Sequence, residues 1–390
     1  MAIGCTDGAP PRAHTTVTDS AGVRIATTML PSPDGAPVWR TDSAPSVVIG
    51  DGRSLDHELD RVGRAVRLSD GRIVIANGRP LELRVFDSTG AFVTRIGREG
   101  DGPGEFRGIG TLQQWAGDSL FVLDATARRL SVLAPDGRFV RSGTITPQTG
   151  QESRALYSMQ GVLDDGSVLA EGSRFDPGTG LVIPTSYIAR TTPSLDSATM
   201  IGEFPDDHML FTPTKSGMFA VGFPMFGRTT RYVVDGDQFI VANNDTWEIR
   251  RYNRDGGLRT IVRVVGEPRR LTGHDYDVAI DSMMAERPEG TAAMRELWRQ
   301  EISHYETLPA YSAVLADSDH NLWVREYGRP GADRSRWTVF DRDGAFLAFA
   351  EMPAKATLLA VGSDYALVLA RGADDEERVH LHWLHRSARD

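Results

Sequence analysis

The stretch VFDSTGAFVTRIG at residues 85–97 decides the fold, because it is repeated. It returns as VLAPDGRFVRSG at 132–143, as RYNRDGGLRTIV at 251–262 and as VFDRDGAFLAFA at 339–350. Each copy has a short apolar run, a turn centred on Asp and Gly, and a second run of alternating apolar residues. Asp-Gly between two such runs signals a β-hairpin, since the turn needs a positive φ that glycine adopts without a Cβ clash.

A second element precedes these hairpins. It reads SDGRIVIAN (69–77), AGDSLFVLD (116–124), LDDGSVLAE (163–171), VDGDQFIVAN (234–243), DSDHNLWVRE (317–326) and VGSDYALVLA (361–370). Gly71 and Asp118 lie 47 positions apart, and so do Gly90 and Gly137. Two features with one period define a repeat, and four short strands per unit is an all-β pattern. The expected fold is an all-β, six-bladed β-propeller of four-stranded blades, an arrangement that leaves few strand edges exposed. The last unit ends with ERVHLHWLHR at 377–386, a third strand with no fourth behind it. VTDSAGVRIATT at 17–28 has the missing form, so the N-terminal strand is expected to close the sixth blade. The domain reading is a flexible tether over 1–16 and one propeller over 17–386, with a helical insertion at 272–305 between blades 4 and 5.

The glycine-rich stretch IGREGDGPGEF at 96–106 falls between two units. A phosphate-binding loop would continue with Lys and Ser or Thr into a helix, whereas Glu105 and Phe106 lead into a strand. These glycines read as a crossover between units, anchored by Phe106. GREGDGPGEF, followed by DSLFVLDATARRLSVLAPDGRFV, resembles an NHL-type propeller repeat. The resemblance is clear over 61–143 and continues more weakly to 386. The layout, with DSAGVRI near the start and NLWVRE late, also resembles a group of bacterial six-bladed envelope proteins of lipoprotein type. The resemblance implies the propeller fold and an exported location. Members of the wider class bind proteins, RNA or small ligands, and some are metal-dependent lyases or hydrolases, so activity stays open.

Composition narrows the classes. The 390 residues are 40% hydrophobic and 25% charged, with a net charge of −10 and no long basic run, which argues against general nucleic-acid binding. No apolar stretch is long enough to span a bilayer. The single cysteine, Cys5, excludes internal disulfides and thiolate metal clusters. Ala2-Ile3-Gly4-Cys5 resembles the end of a lipoprotein signal, which points to the cell envelope or periplasm, with membrane contact only through lipid on Cys5.

Departures from the repeat are where function is expected. Residues 203–230 hold Phe204, Phe211, Phe219, Phe223 and Phe226 with Met209, Met218 and Met225. Residues 218–226 read as an extended inner strand, and Phe223 and Phe226 as part of an apolar recognition wall at the channel mouth. In 272–305, Met294, Leu297, Trp298, Ile302 and Tyr305 recur at helical spacing, after a shorter helix around 275–284. Arg64, Arg107 and Arg228 fall at predicted inner strands, where guanidinium groups lining the channel would bind a carboxylate or phosphate. Asp206, Asp207 and His208 are the candidate ligands for a divalent cation, calcium or zinc; no other cofactor is implied. His380 and His382 share a strand face at a chelating spacing, but on a third strand, away from the channel.

The leading expectation is a monomeric binding or scaffolding propeller that takes a protein or a small anionic ligand at its channel mouth. The competing ones are a metal-dependent hydrolase or lyase with a cation on the axis, and a purely structural module with a plugged channel.

Overall fold

The computed structural model describes residues 14–52, 54–145, 156, 158–174, 180–213, 219–285, 292, 295–296, 305–353, 356–372 and 374–386. Most of these residues form antiparallel sheets. Sheet I is Arg64–Arg67, Ile73–Gly78, Leu81–Phe86 and Phe92–Ile96; sheet II is Ile109–Gln114, Leu120–Asp124, Arg129–Leu133 and Phe139–Thr144. Sheet III is Ser158–Val162, Val168–Arg174, Thr185–Thr191 and Ala198–Pro205; sheet IV is Thr230–Asp235, Gln238–Asn243, Glu248–Asn253 and Leu258–Val265. Sheet V is Tyr311–Ala316, Leu322–Glu326, Arg334–Phe340 and Phe346–Pro353. Sheet VI takes Thr357–Val361, Tyr365–Arg371 and Glu377–His385 from the C-terminal part of the chain.

The repeated motifs sit where the sequence places them. Phe86 turns to Phe92 through Asp87, whose Oδ1 accepts from the Thr89 and Ala91 amides, and Gly90 has φ +86°. A Cβ at Gly90 would stand 2.7 Å from Val47 Cγ1, so both conformation and space demand glycine there. Gly137, Gly256 and Gly344 also have positive φ in the equivalent hairpins.

Alternation along each second strand feeds two cores. Ile73 and Ile75 pack with Leu367, Leu369 and Val379 of sheet VI, while Val74 and Ala76 pack with Leu112, Leu120 and Val122 of sheet II. Both faces of each sheet are thus buried against neighbours, which is why these runs are continuously apolar. The innermost strands follow one another in ring order: Thr357–Val361 touches Arg64–Arg67, and contacts continue sheet by sheet to Tyr311–Ala316. The Ser318 amide donates to the Val361 carbonyl at 3.1 Å, joining sheet V to sheet VI.

The N-terminal segment corrects one expectation. Residues 17–28 do not complete sheet VI: His14–Ser20 and Val23–Met29 pair with each other, and the latter lies parallel on Leu258–Val265 of sheet IV. Residues 14–16, read as tether, belong to that first strand. The chain then runs along the outer rim. Val38–Thr41 pairs with Phe346–Pro353 of sheet V, and Val47–Ile49 pairs antiparallel with Glu377–His385 of sheet VI. The physical reason is burial. Val47 and Ile49 are 8% and 0% exposed within the core of sheets I and VI, whereas Val17 is 43% exposed. The segment at 1–13, with Cys5, lies outside the described residues.

The helix Gly273–Ala285 falls between sheets IV and V, close to the span expected for the shorter helix. Met294, Leu297, Trp298 and Ile302 of the second expected helix lie outside the described residues. Among the described residues no helix is long and apolar enough to cross a membrane.

The rim contact gives a direct expectation. Ile49→Ala should lower the unfolding free energy in urea by about 2–5 kcal/mol, as for other fully buried aliphatic side chains. Val17→Ala should stay within about 0.5 kcal/mol of the unchanged chain. Equal, small effects would mean that Val47–Ile49 does not hold the ring.

Candidate functional site

Each innermost strand begins at the same end of the ring, so the connections between successive sheets, the helix among them, gather around one mouth of the channel. A small sheet of Gly180–Val182, Met209–Pro213 and Phe219–Gly222 belongs to this end as well. The expected inner strand at 218–226 is therefore corrected: Phe219–Gly222 is part of this separate sheet, and the inner strand of sheet IV starts at Thr230.

The three arginines proposed to line the mouth have different fates. Arg64 opens the innermost strand of sheet I opposite Ala76. Its side chain is exposed, and no described residue pairs with it. Yet desolvation pulls its pKa below the usual guanidinium value. The two observations together fit a side chain that meets water on one side while protein surrounds it on the others. Arg107 is instead held by Asp101, with Nε donating to Oδ1 at 2.7 Å and a second contact from Nη2 to Oδ2. Arg228 is buried: Nε donates to Asp245 Oδ1 at 2.8 Å, Nη2 to Thr307 Oγ1 at 2.9 Å, and Cζ lies 4.7 Å from the centre of the Tyr305 ring. It is a clamp between sheet IV and the segment after the helix, not a channel ligand.

The aromatic pair splits in the same way. Phe223 is 70% exposed, next to Val221 at 55%, on and just beyond the small sheet. Phe226 is 4% exposed and packs with Ile280, Leu308 and the edge of Tyr276 beneath the helix, which corrects its assignment to the recognition wall.

Asp206, Asp207 and His208 do not converge on a point. Asp206 Oδ1 accepts from the Asp207 amide, and Asp207 Oδ1 accepts from the Thr230 amide at 2.8 Å and from Arg231 Nη1 at 3.1 Å. His208 turns away, with Nδ1 2.6 Å from the Tyr305 hydroxyl and burial lowering its pKa. Among the described residues no group of three or more His, Cys, Asp or Glu could hold a metal ion, so the cation expectation is not supported here. Tyr305, expected on a helix, is non-helical and serves this contact.

A carboxylate that the motifs did not single out lies at the same end. Glu171 is 9% exposed on the second strand of sheet III, opposite Ser158. Gln160 Nε2 donates to its Oε2 at 2.5 Å and Ser186 Oγ to its Oε1 at 2.7 Å. Burial outweighs these donors, and with the nearby negative charges of Asp206 and Asp207 the carboxyl is pushed up to about 7. The neighbouring Tyr232 hydroxyl is buried without a hydrogen-bond partner among the described residues. Ser186 follows Glu171 by 15 residues on the neighbouring strand, so only the strand register (Glu171 opposite Ile188, between Ser186 and Arg190) reveals the group.

This geometry, with four-stranded sheets whose innermost strands contact one another in order, now meets the comparisons. A family model described as a 6-bladed beta-propeller matches residues 56–131, which span sheet I and much of sheet II. The chain is a β-propeller. Solved structures similar to it include a protein from Bacteroides fragilis described as exported, at 14% identity and a TM-score of 0.49, covering 90% of this chain and 99% of that one. A member of the duf4221 family from Bacteroides vulgatus is similar at 9% identity and a TM-score of 0.48, with 90% and 99% covered. Virginiamycin B lyase from Staphylococcus aureus is similar at 12% identity and a TM-score of 0.37, with 83% and 97% covered. No curated protein sequence matches the chain.

Glu171 makes the propeller's stability depend on pH. Its folded pKa of about 7 lies above the ordinary glutamate value of 4.5, so the folded state holds a proton that the unfolded state releases. Its contribution is fully present below about pH 4.5 and is lost as pH rises through about 7, a change on the order of 3 kcal/mol. Urea unfolding of Glu171→Gln at pH 5 and pH 8 should show a flatter pH dependence than the unchanged chain. Parallel profiles would contradict the assignment.

Proposed function

We propose that this propeller is a binding protein of the cell envelope that takes a small anionic ligand, with a carboxylate or phosphate group, at its channel mouth. We further propose that sheets I–VI are six blades of one ring sealed at the rim by Val47–Ile49, and that the chain acts as a monomer. The observation that carries the binding reading is Arg64. A guanidinium at the start of an innermost strand, with no carboxylate partner among the described residues and partly desolvated by the protein around it, keeps its donors available for an incoming anion. A ligand anion offers two oxygens to its fixed fork of donors and restores what the protein withholds. Phe223 supplies exposed apolar surface at the same end for the remainder of the ligand or for a protein that carries it. The envelope location rests on the lipoprotein-like residues around Cys5.

Glu171 favours a second reading, acid–base catalysis at this mouth. A carboxyl poised near neutrality in a buried polar group can both take and return a proton at physiological pH. This reading replaces the axial-cation enzyme, for which the described residues supply no ligand set.

Calorimetric titration with citrate and with inorganic phosphate tests the leading reading. Arg64→Gln should weaken binding by about 1.5–3 kcal/mol, the range for hydrogen bonds to charged groups. Arg107→Gln, already committed to Asp101, should bind as the unchanged chain does. No binding of either anion, or binding indifferent to Arg64, would overturn it.

A further inference from the structure

A substantial cavity also lies away from the channel mouth. A cleft of about 1010 Å³ lies at the outer rim, between sheets V and VI and the N-terminal strap that crosses them. It exists because Val38–Thr41 serves two sheets. Val38 and Trp39 pair with Phe349 and Ala350, and then the strand leaves for sheet VI, where Arg40 and Thr41 pair with His385 and Leu384. Above this fork the last residues of Phe346–Pro353 stay paired with Arg334–Phe340 on their inner side, but among the described residues no strand covers their outer edge, and the gap opens.

The side chains facing the gap are of two kinds. Pairing of Arg336 with Glu351 and of Phe349 with Val38, together with the two-residue alternation of strands, puts Arg334, Arg336 and Arg40 on one face. Val38 and Phe349 supply apolar wall on this face, whereas Met352, Val368 and Ala370 line the cleft from the opposite, sheet VI-facing side of the strand edge. Four arginines line the cleft against three acids, Asp34, Asp42 and Glu351. Of those acids Asp42 is already held by His385 Nε2 at 2.6 Å. Arg40 has no partner among the described residues. Arg336 lies with Cζ 5.3 Å from the centre of the Phe349 ring, its ion pair to Glu326 is loose at 3.9 Å, and its Nε is buried with no acceptor. Arg334 reaches Glu351 only at 3.6 Å.

His380 and His382 also line this cleft, which places the histidine pair that the sequence singled out. Among the described residues they lack a third metal ligand, and His382 Nδ1 lies 3.0 Å from the Asp42 carbonyl, an arrangement that makes it a donor. The pair reads as polar wall, not as a metal site.

We propose that this fork cleft binds a single small amphiphilic anion: a carboxylate or phosphate headgroup between Arg40 and Arg336, with a flexible aliphatic body that lies along Phe349 and passes over the uncovered strand edge to Met352 and Val368. The volume is at the upper end of small-molecule sites, and apolar walls with a few convergent polar groups are their usual make-up. Spare guanidinium donors next to apolar wall select for an anion that brings its own apolar surface, because a small hydrated anion would leave that wall wet. This site is separate from the channel mouth and does not rest on the reading given for it.

The test is calorimetric titration with monomeric decanoate, with decanol as the uncharged counterpart. One decanoate per chain is expected, with decanol much weaker. The double variant Arg40→Gln/Arg336→Gln should weaken decanoate by at least about tenfold, that is about 1.4 kcal/mol. Ala370→Trp, which fills the cleft and keeps its charges, should abolish binding, and thermal melting of both variants reports whether they fold. Arg64→Gln should leave decanoate binding unchanged, which separates this cleft from the mouth. No decanoate binding by the unchanged chain, or binding untouched by both cleft variants, overturns the proposal. So does association with phosphatidylglycerol vesicles without binding of monomeric decanoate, which would make the arginines a membrane-facing surface.

Discussion

A sheet with an unpaired edge invites non-native strand pairing, and the C-terminal part of this chain leaves one: it supplies three strands to the sixth sheet. The remedy is Val47–Ile49, which covers the edge of Glu377–His385 and buries Ile49 completely. Reaching that edge dictates the course of the whole N-terminal segment. It pairs first on sheet IV, then briefly on sheet V, and finally on sheet VI. The strap thus ties three sheets by their outer strands, and Glu377 adds a link inward by accepting from the Val62 amide at 2.6 Å. The fork cleft is a by-product of the same path, since one strand cannot stay paired to two diverging sheets.

Within the ring, local charge balance sorts the arginines into those that hold the structure and those left over. Arg251, 1% exposed, is matched by Asp235 at 2.6 Å, and Arg84 by Glu82 at 2.8 Å, both within their own sheets. Arg228 is matched across the gap to the residues after the helix. Such buried guanidinium groups are tolerated because their carboxylate partners are close. Arg64 stands outside this scheme, and Glu171 is its acidic counterpart on the other side of the balance: a carboxyl whose burial is not offset by a nearby cation. Surplus of this kind at a channel mouth is what ligand binding would use.

The hairpins were legible because their chemistry is local: an Asp or Asn that accepts two amides and a glycine with positive φ fit within five residues. The third sheet shows what escapes that reading. Its hairpin turns at Thr192–Ser197 with Leu195, not glycine, at φ +65°, helped by Thr192 Oγ1 donating to Asp196. The closing strand was placed on the wrong N-terminal segment because three residues, VVI, are too few to show a period, while the longer hairpin at 17–28 carries the repeat's form. Arg64 was read correctly as an inner-strand residue. Arg228 and Phe226 were not separable from it by sequence, since their burial depends on residues after the helix. Glu171 was invisible for a related reason: its partners come from neighbouring strands, and its significance lies in what surrounds it.

The most direct test of the central claim, that an unmatched guanidinium at the mouth awaits an anion, is anomalous diffraction from crystals soaked in selenate. A selenium peak within hydrogen-bonding distance of the Arg64 guanidinium, in the lumen, is the predicted result. A lumen without selenium, with Arg64 folded onto a protein carboxylate, would contradict the account.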